Sequence, residues 1–185
     1  MGHERKNLTI IIFTYVLILL IDGITRNYLI SSILPQAYQP ISNVVNGFGL
    51  LFSTIWMVII IVLSIMFTFL FTAIFNENFD YNKLLRAWSD LVLVDITAGI
   101  GKFLLMWIIL YDEIPNLSAN DDTINDLSNL TYTVICVKID LITIYISNFI
   151  FIISLYLSSK KDVVFLVTMS LLVLGIMLSL YYKII

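Results

Sequence analysis

The chain has 185 residues, 60% of them hydrophobic and 12% charged, with a formal net charge of −3. A soluble domain carries roughly 45–50% apolar and 25% charged residues and has no interior for so much apolar surface, so the composition excludes an ordinary soluble fold. The lack of a basic block excludes nucleic acid as a partner, and one cysteine (Cys136) with one histidine (His3) excludes an internal disulfide and a zinc cluster, so no cofactor is expected.

A bilayer core of about 30 Å is crossed by about 20 helical residues, and five segments meet that test. The first, Leu8–Tyr28, follows Met-Gly-His-Glu-Arg-Lys and imitates a secretory signal, but it lacks a small-x-small cleavage site and reads as an uncleaved span. Near its end Asp22 precedes Arg26 by four residues, a spacing that lets the two charges neutralise each other on one helical face. A connection from Ser31 to Phe48 has no charge. The second span, Gly49–Phe75, is too long to stand upright and tilts or projects, and it carries Ser64, Thr68 and Thr72 at steps of four.

Between Phe79 and Trp88, Tyr81, Leu84, Leu85 and Trp88 share a helical face, with Asn82, Lys83 and Arg86 on the other side. Lys83, Arg86 and Trp88 are therefore the candidate cytoplasmic interface, either a surface for acidic lipid or a partner, or a plain entry into the third span. That span, Leu91–Tyr111, places Asp95, Gly99 and Lys102 at i, i+4 and i+7, so both charges share a face and the glycine permits close helix approach. The connection 112–130 holds five acids and no base; it lacks the ligand spacing of a calcium loop and reads as a solvated turn.

The fourth span, Ile139–Leu157, has Lys138 and Asp140 at its outer start, where side chains reach the headgroups. Asp140, Thr143, Ser147, Ser154 and Ser158 fall along one stripe, a candidate helix-packing surface, and the fifth span, Val163–Tyr182, has a shorter stripe of Thr168, Gly175 and Ser179. Trp88 on one side and Trp107, Tyr111, Tyr132, Tyr181 and Tyr182 on the other sit where aromatic belts form.

The bases outside the spans point to an orientation. Arg5 and Lys6, Lys83 and Arg86, and Lys160 and Lys161 fall on one side, which the positive-inside rule makes cytoplasmic, with the C-terminus outside. Ionisable groups inside a bilayer cost roughly 2.5–3.5 kcal/mol on insertion scales, so each needs a reason. Asp22, Arg26, Lys102, Lys138 and Asp140 all fall in the outer half under this orientation, and with Asp95 they are the candidate intramembrane polar cluster. The cluster reads either as a vestibule for a substrate, ion or peptide, or as a structural ion-pair network. No nucleophile has a base within reach, and Asp22 with Asp95 is the one acid pair that intramembrane hydrolysis could use.

From Phe79 the order of features resembles the Ypt-interacting-protein (Yip) family of five-span membrane proteins. The stretch Phe-Asp-Tyr-Asn-Lys-Leu-Leu-Arg-Ala-Trp leading into the third span, and the turn Ser158-Ser159-Lys160-Lys161 joining the last two, carry the resemblance, which covers Val44 to Tyr182. It implies a cytoplasmic N-terminus. It also implies, for eukaryotic members, vesicle trafficking with Rab-type GTPases, while bacterial members mostly lack an assigned role. The third span here departs from the family in having no proline. The isoleucine and asparagine content is that of a low-GC Gram-positive bacterium, whose cytoplasmic membrane is the expected location.

The expectation is an all-α, polytopic bundle of about five spans in a single domain. Its expected partners are the lipid bilayer and a membrane protein or a second copy of itself, and its expected role is non-enzymatic: scaffold, accessory factor or immunity-like protector. A transporter component is the alternative, and an intramembrane enzyme the second alternative.

Overall fold

A chain in hydrocarbon must satisfy every backbone N–H and C=O within itself, and a long apolar segment does so as an α-helix. The computed structural model describes residues 2–31, 39–75, 80–110, 131–159 and 163–184. The acidic connection 112–130, Phe79, Tyr111, Lys160 and Lys161 lie outside the described residues, as do the side chains of Ser158, Ser179, Tyr181 and Tyr182.

Among the described residues the fold is an all-helical bundle. Its helices are α1 (Gly2–Ser31), α2 (Gln39–Phe75), α3 (Tyr81–Leu105), α4 (Thr131–Ser159) and α5 (Val163–Ile184), and α3 runs on into a single wider π-turn at Met106–Leu110. Four are long and apolar enough to cross a membrane, within His3–Leu29, Val44–Ile74, Tyr81–Ile109 and Thr131–Leu157; α5 adds a shorter apolar stretch at Phe165–Leu178.

The helices outrun the hydrophobic segments that announce them. α2 begins at Gln39, inside the connection expected to run to Phe48, and α4 begins at Thr131, before the expected Ile139. Hydropathy marks the part that needs lipid, while backbone hydrogen bonding continues through polar residues beyond it.

The bundle has an apolar core around Trp88, Phe151 and Leu155 and an outer surface that is apolar as well. On α2, Phe52 is 72% exposed whereas Thr68 and Thr72 are at 0%, so the hydroxyl stripe faces the other helices and the aromatic face looks outward. α3 is the hub, packed mainly against α4 and α1, with α2 held chiefly by α1 and α5 chiefly by α4.

The start of α3 is well defined. Asp80 caps it, its carboxylate accepting a hydrogen bond from the Asn82 backbone N–H at 3.0 Å. Phe69 and Tyr81 stack with ring centroids 5.3 Å apart, clipping the end of α2 to this cap. The amphipathic face expected here is present, and its apolar side packs into the bundle. Leu84, Leu85 and Trp88 are buried, and Trp88, 1% exposed, sits in the core against Phe151 with ring centroids 5.4 Å apart in an edge-on arrangement. Of the candidate interface residues only Arg86 is exposed, with Lys83 half-buried. Tyr132, also assigned to an aromatic belt, is buried as well.

Candidate functional site

On α1 the inward positions recur every seven residues: Leu8, Tyr15 and Leu29 are buried, and Asp22 occupies the same register. That register carries the Asp22 carboxylate toward the hub. Arg26, one turn later, forms no ion pair with it within 4 Å, although its charge still acts on Asp22. The exposed Arg26 also lines a cleft between α1 and α2.

The charges of α3 are also paired differently from their spacing. Asp95 and Lys102 stand about 10 Å apart along the helix axis at 1.5 Å per residue, too far for direct contact. Lys102 reaches across to α4 and binds Asp140, with Nζ 2.6 Å from Oδ1. This ion pair is partly buried, the two side chains being 21% and 41% exposed. Asp140 is therefore a partner of the hub helix rather than a headgroup contact, while Lys138 is exposed.

Around this bridge ionisable groups of three helices lie within electrostatic reach of one another. Asp22 feels the charges of Arg26, Lys102 and Asp140, Asp95 those of Lys102 and Asp140, and the buried Tyr15 those of Asp95 and Asp140. Tyr132 and Cys136, one turn apart on α4, share a hydrogen bond at its edge. One Asp22 carboxylate oxygen is buried with no hydrogen-bond partner among the described residues. Of the candidate cluster Asp22, Arg26, Asp95, Lys102, Lys138 and Asp140, Lys102 and Asp140 are in direct contact.

At the far end of α3 a second polar clamp appears that sequence spacing did not single out. Ser154 Oγ donates to Asp90 Oδ2 at 2.5 Å. The two clamps are separated by about 18 Å along α3 and about 21 Å along α4 at 1.5 Å per residue, as antiparallel helices in one register require. Just N-terminal to the Asp90 clamp, Trp88 Nε1–H donates to Thr68 Oγ1 at 2.9 Å, and Thr68 in turn donates to the Ile65 carbonyl at 2.8 Å, so α2 joins the hub through a hydroxyl that both accepts and donates. The signal that could have found Asp90 is its cost: an acid beside a run of apolar residues calls for a partner.

The α4 stripe divides its work. Ser154 serves α3, Ser147 is buried with its hydroxyl donating to the Ile144 carbonyl and lying 4.0 Å from Met177 Sδ of α5, and Thr143 donates to its own helix at Ile139. The firmest α4–α5 polar contact comes from a neighbour of the stripe, Asn148, whose amide donates to Ser170 Oγ at 3.1 Å. On α5, Thr168 and Gly175 of the stripe are exposed, and the buried positions among the described residues are Leu166, Met169 and Val173.

Chemically the arrangement holds helices together. Among the described residues no group of three or more His, Cys, Asp or Glu side chains gathers to hold a metal ion. No family model, curated protein or solved structure matches the chain.

Proposed function

We propose that the chain is a non-enzymatic integral protein of the cell membrane that acts through helix and partner contacts, as a scaffold, accessory factor or immunity-like protector. The observation that carries this reading is the closure of Lys102 on Asp140 between the hub and α4, which engages two charges of the long apolar helices in holding those helices together. The partner is a second membrane protein or another copy of the chain. The N-terminus is cytoplasmic and the C-terminus external, by the distribution of Arg5, Lys6, Lys83 and Arg86. The isoleucine-rich and asparagine-rich composition supports the cytoplasmic membrane of a low-GC Gram-positive bacterium, and the layout resemblance supports kinship with bacterial Yip-like proteins.

A second reading, a transporter component, is favoured by one observation, the unpartnered Asp22 oxygen beside the bridge. Cysteine accessibility separates the two. With Cys136 replaced by Ser, single cysteines at Asp22, Asp95, Lys102 and Ser147 are treated with a membrane-impermeant thiol reagent from each side. The helix-contact reading expects none to label in folded protein; labelling at both Asp95 and Lys102 would establish a water path and favour transport.

A further inference from the structure

α1 and α2 meet where Gly23 receives the Leu50 side chain, so closely that a Cβ on Gly23 would overlap Leu50 Cδ1. Beside this contact lies a cleft of about 360 Å³ lined by Gly23, Arg26, Asn27, Asn46, Gly49 and Ser53. Its volume falls within the roughly 300–1,000 Å³ of small-molecule sites. The apolar Val45 and Leu50 complete the lining, and its one charge, Arg26, is positive.

Arg26 is exposed and makes no ion pair within 4 Å among the described residues, so its N–H donors face the cleft's opening while its charge also acts on Asp22 one turn away. A guanidinium offers five N–H donors and no acceptor, in a planar fork that matches phosphate oxygens in pairs. Ser53 already donates its hydroxyl hydrogen to the Leu50 carbonyl at 3.0 Å, so Arg26, supported by the Asn27 amide, supplies the donors.

Depth and surroundings narrow the ligand. α1 has 30 residues. At 1.5 Å each it is about 45 Å long, some 15 Å more than the hydrocarbon core, so a centred helix leaves about five residues at each end among the headgroups. Arg26 stands at that boundary. Around the cleft Tyr28, Val45, Phe48 and Phe52 are exposed and apolar, a surface for acyl chains. A cation and amides in a lateral cleft, framed by hydrocarbon-facing rings, match a group that is anionic at one end and apolar at the other.

We infer that the α1–α2 cleft binds a phosphate group through Arg26, and that the phosphate is that of a phospholipid headgroup. Gly49 provides a variant that spares the fold, because a Cβ there meets nothing within 4 Å and a larger side chain grows into the cleft. The full chain, delipidated in detergent, is titrated with phosphatidylglycerol and the bound lipid counted by native mass spectrometry. Arg26→Gln and Gly49→Leu are each expected to weaken binding roughly tenfold, the scale of a lost charge-assisted contact, with melting temperatures unchanged. Diacylglycerol, which lacks the phosphate, is expected to bind no more tightly than to either variant. Inorganic phosphate in large excess is expected not to displace the lipid; complete displacement would overturn the lipid assignment in favour of a soluble phosphate. Wild-type affinity in both variants, or equal affinity for diacylglycerol, would overturn the site itself. Neither variant touches the α3–α4 charges, so failure here is distinct from failure of the helix-contact reading.

Discussion

Trp88 shows how one side chain can join three helices. Its indole packs on Phe151 of α4 and donates to Thr68 of α2 from within α3. Trp88→Phe is expected to cost about 1–3 kcal/mol from lost volume and the lost hydrogen bond. Thr68→Val should cost about as much by stranding the indole N–H, and the double variant less than the two together, by about 1 kcal/mol. Unfolding in detergent followed by tryptophan-independent circular dichroism measures all three; strict additivity would show the bond to be idle. The Lys102–Asp140 bridge calls for a different pattern. Lys102→Met leaves Asp140 beside two other acids, Asp22 and Asp95, and is expected to destabilise by about 1–3 kcal/mol, a range discounted because Asp140 is 41% exposed. Adding Asp140→Leu should recover most of that loss, because two apolar side chains replace a charge pair at little cost in a largely apolar setting. A double variant less stable than the single would show that the pair contributes more than its own desolvation.

At the scale of helices, the two clamps at Asp90–Ser154 and Lys102–Asp140 define the register of α3 on α4. In a Cys136→Ser background, cysteines introduced at 90 and 154, or at 102 and 140, are expected to cross-link with a short bifunctional thiol reagent, whereas cysteines at 90 and 140 are not. Cross-linking of the mismatched pair and of neither matched pair would refute the register. The small-residue stripes illustrate what spacing can and cannot tell. Ser64, Thr68 and Thr72 on α2 are buried at steps of four as expected. Thr168 and Gly175 on α5 have equally regular spacing and face outward, because a peripheral helix with few neighbours needs only one narrow face, and Leu166, Met169 and Val173 already fill it. Periodicity says which residues share a face but not which face finds a partner.

For the whole molecule, the many aromatics and aliphatics exposed around a tightly packed apolar core with a few buried hydroxyls are consistent with lipid as the solvent of the long helices. The proposed orientation makes a direct prediction. A reporter active only outside the cytoplasm, fused after Ile185, is expected to be active, and the same reporter fused after Trp88 silent. The reverse pattern would invert the topology and move Arg26 and its cleft to the inner leaflet. An odd number of crossings is required for that result, so it also tests whether α5, whose described apolar stretch is shorter than those of the other helices, completes a crossing.

The sequence by itself determined the helical class, the segments that need lipid, and the fact that Asp22, Asp95, Lys102 and Asp140 require partners. Those conclusions rest on local quantities: length, hydropathy and the cost of a charge in hydrocarbon. Only the tertiary structure decided the pairings. Asp22 and Arg26 have ideal spacing yet form no ion pair within 4 Å. Asp95 and Lys102 share a face about 10 Å apart, so Lys102 finds Asp140 instead. Asp90 and Trp88 stand at the edge of a span in the sequence and yet are drawn into the bundle. The reason is geometric: hydropathy reports position along the membrane normal, whereas a side chain's partner depends on its radial direction toward a neighbouring helix, and that is set by how all the helices pack together.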